Sequence, residues 1–220
     1  MCGRFAIANP TFRRIEQTLG TTFPPVPLHY NVAPSQIIPT LRQTNSGYEQ
    51  VDMRWGLIPH WSKEPKVSYS THNARAETVA DKPVFKSAFR ARRCLIPVSG
   101  FYEWQTLDDR KQPYYFTGDN NNGLVFAGLW DEWHGEVTEE RILSCTLVVG
   151  VANPLVAPVH DRMPVILPEM AYKMWLDPHT PIEQIKSLLV PFPAAHMRGW
   201  RVSAAVGNAR NQSPTLIEPL

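Results

Sequence analysis

Residues 92–105, RRCLIPVSGFYEWQ, read as strand, and strand-like segments follow at close intervals: PYYFTG at 113–118, LVFAGLWDEW at 124–133 and ILSCTLVVGVAN at 142–153. Each is short and rich in β-branched and aromatic residues. No helical period separates them, so the alternation of strand and helix that builds a parallel sheet is missing. The expected class is therefore α+β, with a mainly antiparallel, twisted, barrel-like β core and a few short helices.

Working outward, GRFAIA (3–8) reads as a strand and PTFRRIEQTL (10–19) as a helix with Pro10 near its start. TTFPPVPLHYNVAPSQ (21–36) reads as irregular, yet too rich in apolar and aromatic residues to be a free linker. IIPTLRQ (37–43) and VDMRWGLIPHW (51–61) read as strands around a polar turn, TNSGYE, and KPVFKSAFRA (82–91) as a helix. Toward the C-terminus, PEMAYKMWLD (168–177) and PIEQIKSLL (181–189) have helical spacing, each begun by proline, and WRVSAAVG (200–207) closes as a strand. The 21 prolines are spread along the chain and not gathered into a linker. With no repeat, low-complexity tract or composition break, residues 1–220 are read as one domain.

The bulk numbers exclude several classes. No apolar run approaches the roughly 20 residues a membrane helix needs, and Arg4, Asn9, Arg13 and Arg14 interrupt any signal-peptide core. The three cysteines, at 2, 94 and 145, are too few and too scattered for a disulfide framework or a zinc site. A cytoplasmic protein with no cofactor and no metal is expected. A net charge of +2 is low for a duplex-coating protein but compatible with a small positive groove.

The chain begins MCGRFAIA. Removal of Met1 would leave Cys2 with a free α-amine and a thiol on adjacent carbons. Their reference pKa values, about 7.7–8.0 and about 8.5, give each a nucleophilic fraction near neutral pH. Such a 1,2-aminothiol condenses with an aldehyde: the amine forms an imine, and the sulfur closes a five-membered thiazolidine. An internal cysteine cannot do this because its nitrogen is an amide. The alternative is a small, packed, inert Cys2.

Four further stretches carry polar groups in apolar settings. THNARAET places Asn73, Arg75 and Glu77 at period two, as one functional face or as a solvated one. SGFYEWQ sets Glu103 between Tyr102 and Trp104, where desolvation would raise its pKa into the range of a general acid/base; a surface carboxylate on an edge strand is the other reading. PVHDRMPVIL brings His160, Asp161 and Arg162 before an apolar strand, catalytic or structural. LIPHWSKE offers Trp61 either as a platform for an unpaired base or as a buried loop anchor. Lys86, Arg90, Arg92 and Arg93 in FKSAFRARR could touch phosphates or form a wet face.

Taken in order, MCGRFA, YNVAPSQ, RWGLIPHW, NARAETV, FKSAFRARRCLIPVSGFYEW, HDRMPVIL and VGNARNQSPTLIEP closely resemble the SOS-response-associated peptidase family, from Cys2 to the last residues. Eukaryotic relatives were described as binding DNA that contains 5-hydroxymethylcytosine. The resemblance implies a barrel-like fold and a protein that covalently shields abasic sites in single-stranded DNA. Nothing in the chain demands more than a monomer, and association with the nucleoid is expected when it is bound to damaged DNA. The resemblance also implies Cys2 as nucleophile, with Asn73 orienting the N-terminus or the opened sugar. Glu103 would move protons, and His160 would assist at the sugar hydroxyl. Arg4, Arg75 and Arg162 would contact phosphates, and Trp61 and Trp104 would stack or hold the strand open. Two positions depart from the family pattern: Ser62 stands where many relatives have a second tryptophan, and Val149 where they often have threonine.

Two other activities share these residues. One is a thiol peptidase using Cys2 with His160 and Glu103, which includes self-removal of Met1. The other is a module that binds a modified base reversibly and without Cys2.

Overall fold

A computed structural model describes residues 2–8, 12–65, 67, 69–108, 110–119, 123–135 and 139–220. Its elements, in chain order, are β1 (Phe5–Ile7), α1 (Phe12–Leu19), β2 (His29–Val32), β3 (Ile37–Thr44), β4 (Gly47–Trp55), β5 (Asn73–Arg75), α2 (Pro83–Ala91), β6 (Arg93–Val98), β7 (Gly100–Leu107) and β8 (Arg110–Gly118). β9 (Leu124–His134), β10 (Arg141–Val151), β11 (Arg162–Pro164), α3 (Tyr172–Leu176), α4 (Ile182–Ser187) and β12 (Met197–Arg201) complete the set.

The strands centred on residues 92–153 organise the molecule as their composition predicts. In one sheet, β10 pairs with β4, β4 with β3, β3 with β6, β6 with β9, and β9 returns to β10, so five strands close a barrel. All of these ladders are antiparallel except β10–β4. β5 and β11 attach to β10 farther along its length, at Leu147–Val149 and Val149–Val151. A second sheet has the order β12-β8-β7-β1-β2.

Each helix buries an apolar stripe. In α2, Pro83 sits at the start and Val84, Phe85, Ala88 and Phe89 are buried. They join Ile15 and Leu19 of α1 and Trp175 of α3 in one core. Arg93 is buried and is not a phosphate ligand. Its guanidinium donates to the carbonyls of Phe89 (2.8 Å), Arg90 (2.6 Å), Trp175 (2.6 Å) and Asp177 (2.5 Å). It thereby satisfies carbonyls left over at the ends of α2 and α3.

Four segments differ from their sequence reading. β2 lies inside the proline-rich stretch 21–36, because pairing with β1 supplies the hydrogen bonds that local composition does not suggest. β4 stops at Trp55, where Gly56 at φ 134° turns the chain out of the sheet, so 57–61 is loop. The closing strand ends at Arg201, and Ser203 caps a 3₁₀ turn at Ala204–Gly207. At 168–177 a 3₁₀ turn, Glu169–Ala171, precedes the short α3. Pro10 lies outside the described residues.

Candidate functional site

Cys2 is fully buried in a core with Phe5, Trp55, Phe101, Phe126 and Leu147. Its arm is fixed by main-chain bonds from the sheet: Tyr102 N–H donates to Arg4 O (3.0 Å) and Ser99 N–H to Ala6 O (2.7 Å). Close approach is required where β7 starts, since a Cβ on Gly100 would stand 2.3 Å from the carbonyl oxygen of Phe116. The docking runs the N-terminal arm beside Glu103.

Asn73 reaches Cys2 from the other side. The Trp55 indole N–H donates to His72 O (2.8 Å), and Leu147 N–H donates to the same oxygen (3.0 Å). With His72 pinned, Asn73 Nδ2 donates to the Cys2 carbonyl at 2.7 Å. Asn73 Oδ1 is buried with no hydrogen-bond partner among the described residues. It is an acceptor placed next to the residue 2 backbone.

Glu103 is 3 % exposed, and β7 lies between β1 and β8, which removes the edge-strand reading. Burial lifts its pKa to about 7; the positive N-terminus pulls it down and Asp161 pushes it up. The Cys2 thiol is pushed far above its ordinary value by burial, then by the charge of Glu103. The nucleophilic thiolate fraction inferred from reference values is thus corrected: the resting thiol is protonated.

His160 Nδ1 accepts from Arg162 N–H at 3.0 Å and also lies 3.0 Å from Asp161 Oδ1. One nitrogen cannot accept from an amide while donating to a carboxylate. The backbone N–H is the fixed donor, so neutral His160 carries its proton on Nε2. Burial and the positive N-terminus lower its pKa, Asp161 raises it, and Lys111 lowers it further. Glu103, Trp104, Lys111, His160 and Gly207 line one cleft of about 350 Å³.

The expected DNA contacts divide into groups. Arg4 Nη1 donates to Asn31 Oδ1 (2.7 Å) and to Val206 O (2.8 Å), and the guanidinium stands 6.0 Å from the Trp104 ring centroid. Arg162 is ion-paired with Glu77. Arg75 is exposed, whereas Asn73 on the same strand is buried. Trp61 is 54 % exposed and is not a buried anchor. Its loop is gripped by β9 and β10: Ser144 Oγ accepts from Ile58 N–H (2.8 Å), Asp131 Oδ2 from His60 N–H (3.1 Å), and Ser62 O from the Trp133 indole (2.7 Å). Asp131 is itself buried against Arg92, whose Nη2 donates to Oδ2 at 3.3 Å; Nε, 3.1 Å from Oδ1, is off-line and contributes charge only. Val149 is buried in the Cys2 core, so a side chain at this position faces packing and not a DNA backbone.

Sequence reading missed Asn31, Asp131 and Lys111. Asn31 is fully buried, and its amide donates to the carbonyls of Val206, Asn208 and Asn211, stapling the C-terminal segment beside Arg4. Only the YNVAPSQ motif pointed toward it.

These features define a β-barrel protein in which Asn73 and Glu103 converge on the arm that carries the second residue of the chain. The chain belongs to the SOS response associated peptidase (SRAP) family, whose model matches residues 1–209. It is 40% identical to the "Abasic site processing protein YoqW" of Bacillus subtilis, over 99% of both chains. It is 33% identical to the "Abasic site processing protein HMCES" of Xenopus tropicalis, over 84% of this chain and 64% of that one. The fold is shared with a solved protein from Bacteroides thetaiotaomicron (TM-score 0.87, 23% identity, all of both chains). It is shared also with a phage-related protein from Bordetella bronchiseptica (TM-score 0.74, 29% identity, 91% of this chain and 94% of that one). No helix among the described residues is long and apolar enough to cross a membrane.

Proposed function

We propose that the protein processes abasic sites, shielding them in single-stranded DNA by condensing Cys2, freed of Met1, with the aldehyde of the ring-opened deoxyribose. The observation that carries this reading is the junction at Cys2: Asn73 Nδ2 holds its carbonyl at 2.7 Å, beside a carboxyl that titrates at about 7. The relatives' names, abasic site processing protein, support the substrate class.

The chemistry balances without oxidant or reductant. The α-amine adds to the aldehyde carbon, and the carbonyl oxygen leaves as water, giving an imine. The thiol sulfur then bonds to the imine carbon while its proton moves to the nitrogen, closing a thiazolidine. Because the thiol rests protonated, ring closure needs a base at hand. Glu103, partly protonated at neutrality, suits both proton steps: as acid toward the departing oxygen and as base toward the thiol. Asn73 Oδ1 is the acceptor for the α-amine, and His160 Nε2–H is a donor for the sugar hydroxyl. Arg4, Arg75 and Arg162 hold phosphates, which position the strand without reading sequence. Trp61 and Trp104 stack against bases or hold them apart.

Intact mass, before and after incubation with a single-stranded oligonucleotide carrying one abasic site, tests the reading. The expected product is protein lacking Met1 plus oligonucleotide, less one water, mapped to Cys2. No adduct on a chain already lacking Met1, or a normal yield from Cys2→Ala, would overturn it.

A further inference from the structure

Lys111 sits near the start of β8, opposite Thr106 of β7, in what the sequence presents as the ordinary polar end of a hairpin. The fold makes it something else. It is exposed at the rim of the cleft lined by Glu103 and His160, and its positive charge acts on His160. Of the cations assigned to phosphates above, Arg4 also keeps Asn31 and Val206 as partners and Arg162 keeps Glu77, so each would share its charge between the strand and the protein. Lys111 makes no ion pair among the described residues, and it lines the cleft together with Glu103 and His160. Gly207 lines the same cleft, and a Cβ added there would meet no atom within 4 Å, so this part of the lining is open.

We infer that Lys111 is a phosphate anchor, binding the phosphodiester adjacent to the sugar that occupies the cleft. This rests on the DNA reading above and adds a contact that reading did not include. A sugar seated against Glu103 and His160 carries its phosphates at the rim, where a flexible ammonium meets them as a point charge. The same charge acts on His160 together with Asp161 and the N-terminal amine, so anchor and imidazole are electrostatically linked.

The test uses noncovalent binding, which separates it from the chemistry at Cys2. The full chain is titrated with a single-stranded oligonucleotide carrying a tetrahydrofuran abasic analogue, which has no aldehyde, from about 50 to about 200 mM KCl. Lys111→Gln is expected to weaken binding several-fold at the low-salt end and to lower the slope of log K against log salt by about 0.7, the value of one single-strand phosphate contact. Lys111→Arg should restore the slope, and Lys173→Gln, an exposed lysine on α3, should leave it unchanged. An NMR titration of His160 should move upward in Lys111→Gln but not in Lys111→Arg. An unchanged slope in Lys111→Gln, or an equal loss in Lys173→Gln, overturns the anchor. Lys111-dependent binding without any adduct on an aldehyde substrate would sink the covalent reading and leave the anchor standing. A chain that binds no strand removes both.

Discussion

The side-chain amide of Asn73 donates to the carbonyl of Cys2 across 2.7 Å, joining two residues 71 positions apart in the chain. The bond fixes the backbone that carries both the thiol and the nitrogen beside it. Asn73→Ala leaves that buried carbonyl unsatisfied, a cost of about 1–3 kcal/mol, and lets the N-terminus drift. Single-turnover adduct formation is expected to slow by roughly 10- to 100-fold, since misplacement of about 1 Å has that effect. Asn73→Asp, which sets a carboxylate against a carbonyl, should do worse. A folded Asn73→Ala protein with the wild-type rate would remove Asn73 from the site.

Cys94 and Cys145 are also fully buried, and burial raises both thiols. Neither has a free amine. Cys2→Ala should abolish the adduct, whereas Cys94→Ala and Cys145→Ala should retain it while losing about 1–2 kcal/mol of stability to the small cavities they leave. Adduct mass together with thermal melts of the three variants checks this.

Glu103 sets a pH signature. Its carboxyl titrates near 4.5 when solvated and at about 7 in the fold. Between those values the native state holds a proton that the unfolded chain has released, so this group makes stability fall as pH rises from about 4.5 to about 7. Glu103→Gln removes the burden. It should melt higher than wild type at pH 8, by up to about 3 kcal/mol, and equally at pH 4. Its adduct rate should fall by about 10²- to 10⁴-fold, the usual loss of a general acid/base. A lower melting point at pH 8 would show that the carboxylate is stabilised where it sits.

Asp131 holds the loop that displays Trp61. Its removal takes the acceptor from the His60 N–H and the carboxylate from Arg92, which keeps Ser87 Oγ (2.7 Å) and some solvent, at a cost of about 1–3 kcal/mol. In a folded Asp131→Asn protein, affinity for the abasic analogue should drop toward that of Trp61→Ala, and the double variant should lose little more than either alone. Additive losses would mean that Asp131 acts only on stability.

The barrel was largely legible in the chain. The run from 92 to 153 contains too many consecutive strand-like segments for a parallel sheet, and β6 to β10 occur there, three of them (β6, β9 and β10) in the barrel and two (β7 and β8) in the hairpin beside it. The helices showed themselves through proline starts and apolar stripes. β2 was hidden because its pairing depends on β1, a partner not visible from residues 21–36. Arg92 and Arg93, adjacent and chemically alike, went to different fates, one to Asp131 and the other to helix-end carbonyls. Arg92 is the C-cap of α2 and Arg93 the first residue of β6, so the two side chains leave the backbone in different settings, and only packing decides what each meets.

By itself, the sequence determined the strand-rich class, the aminothiol potential of Cys2, and the residue types able to serve it. Those are local properties, set by covalent structure and by periodicity along the chain. Tertiary structure alone decided that Asn73 and Glu103 meet at the N-terminal arm, that the thiol rests protonated, that Arg4 is held by Asn31, and that Lys111 reaches the cleft. Distances between remote residues and the solvation of buried charges arise only when the barrel closes, because both depend on which surfaces exclude water and not on the order of residues.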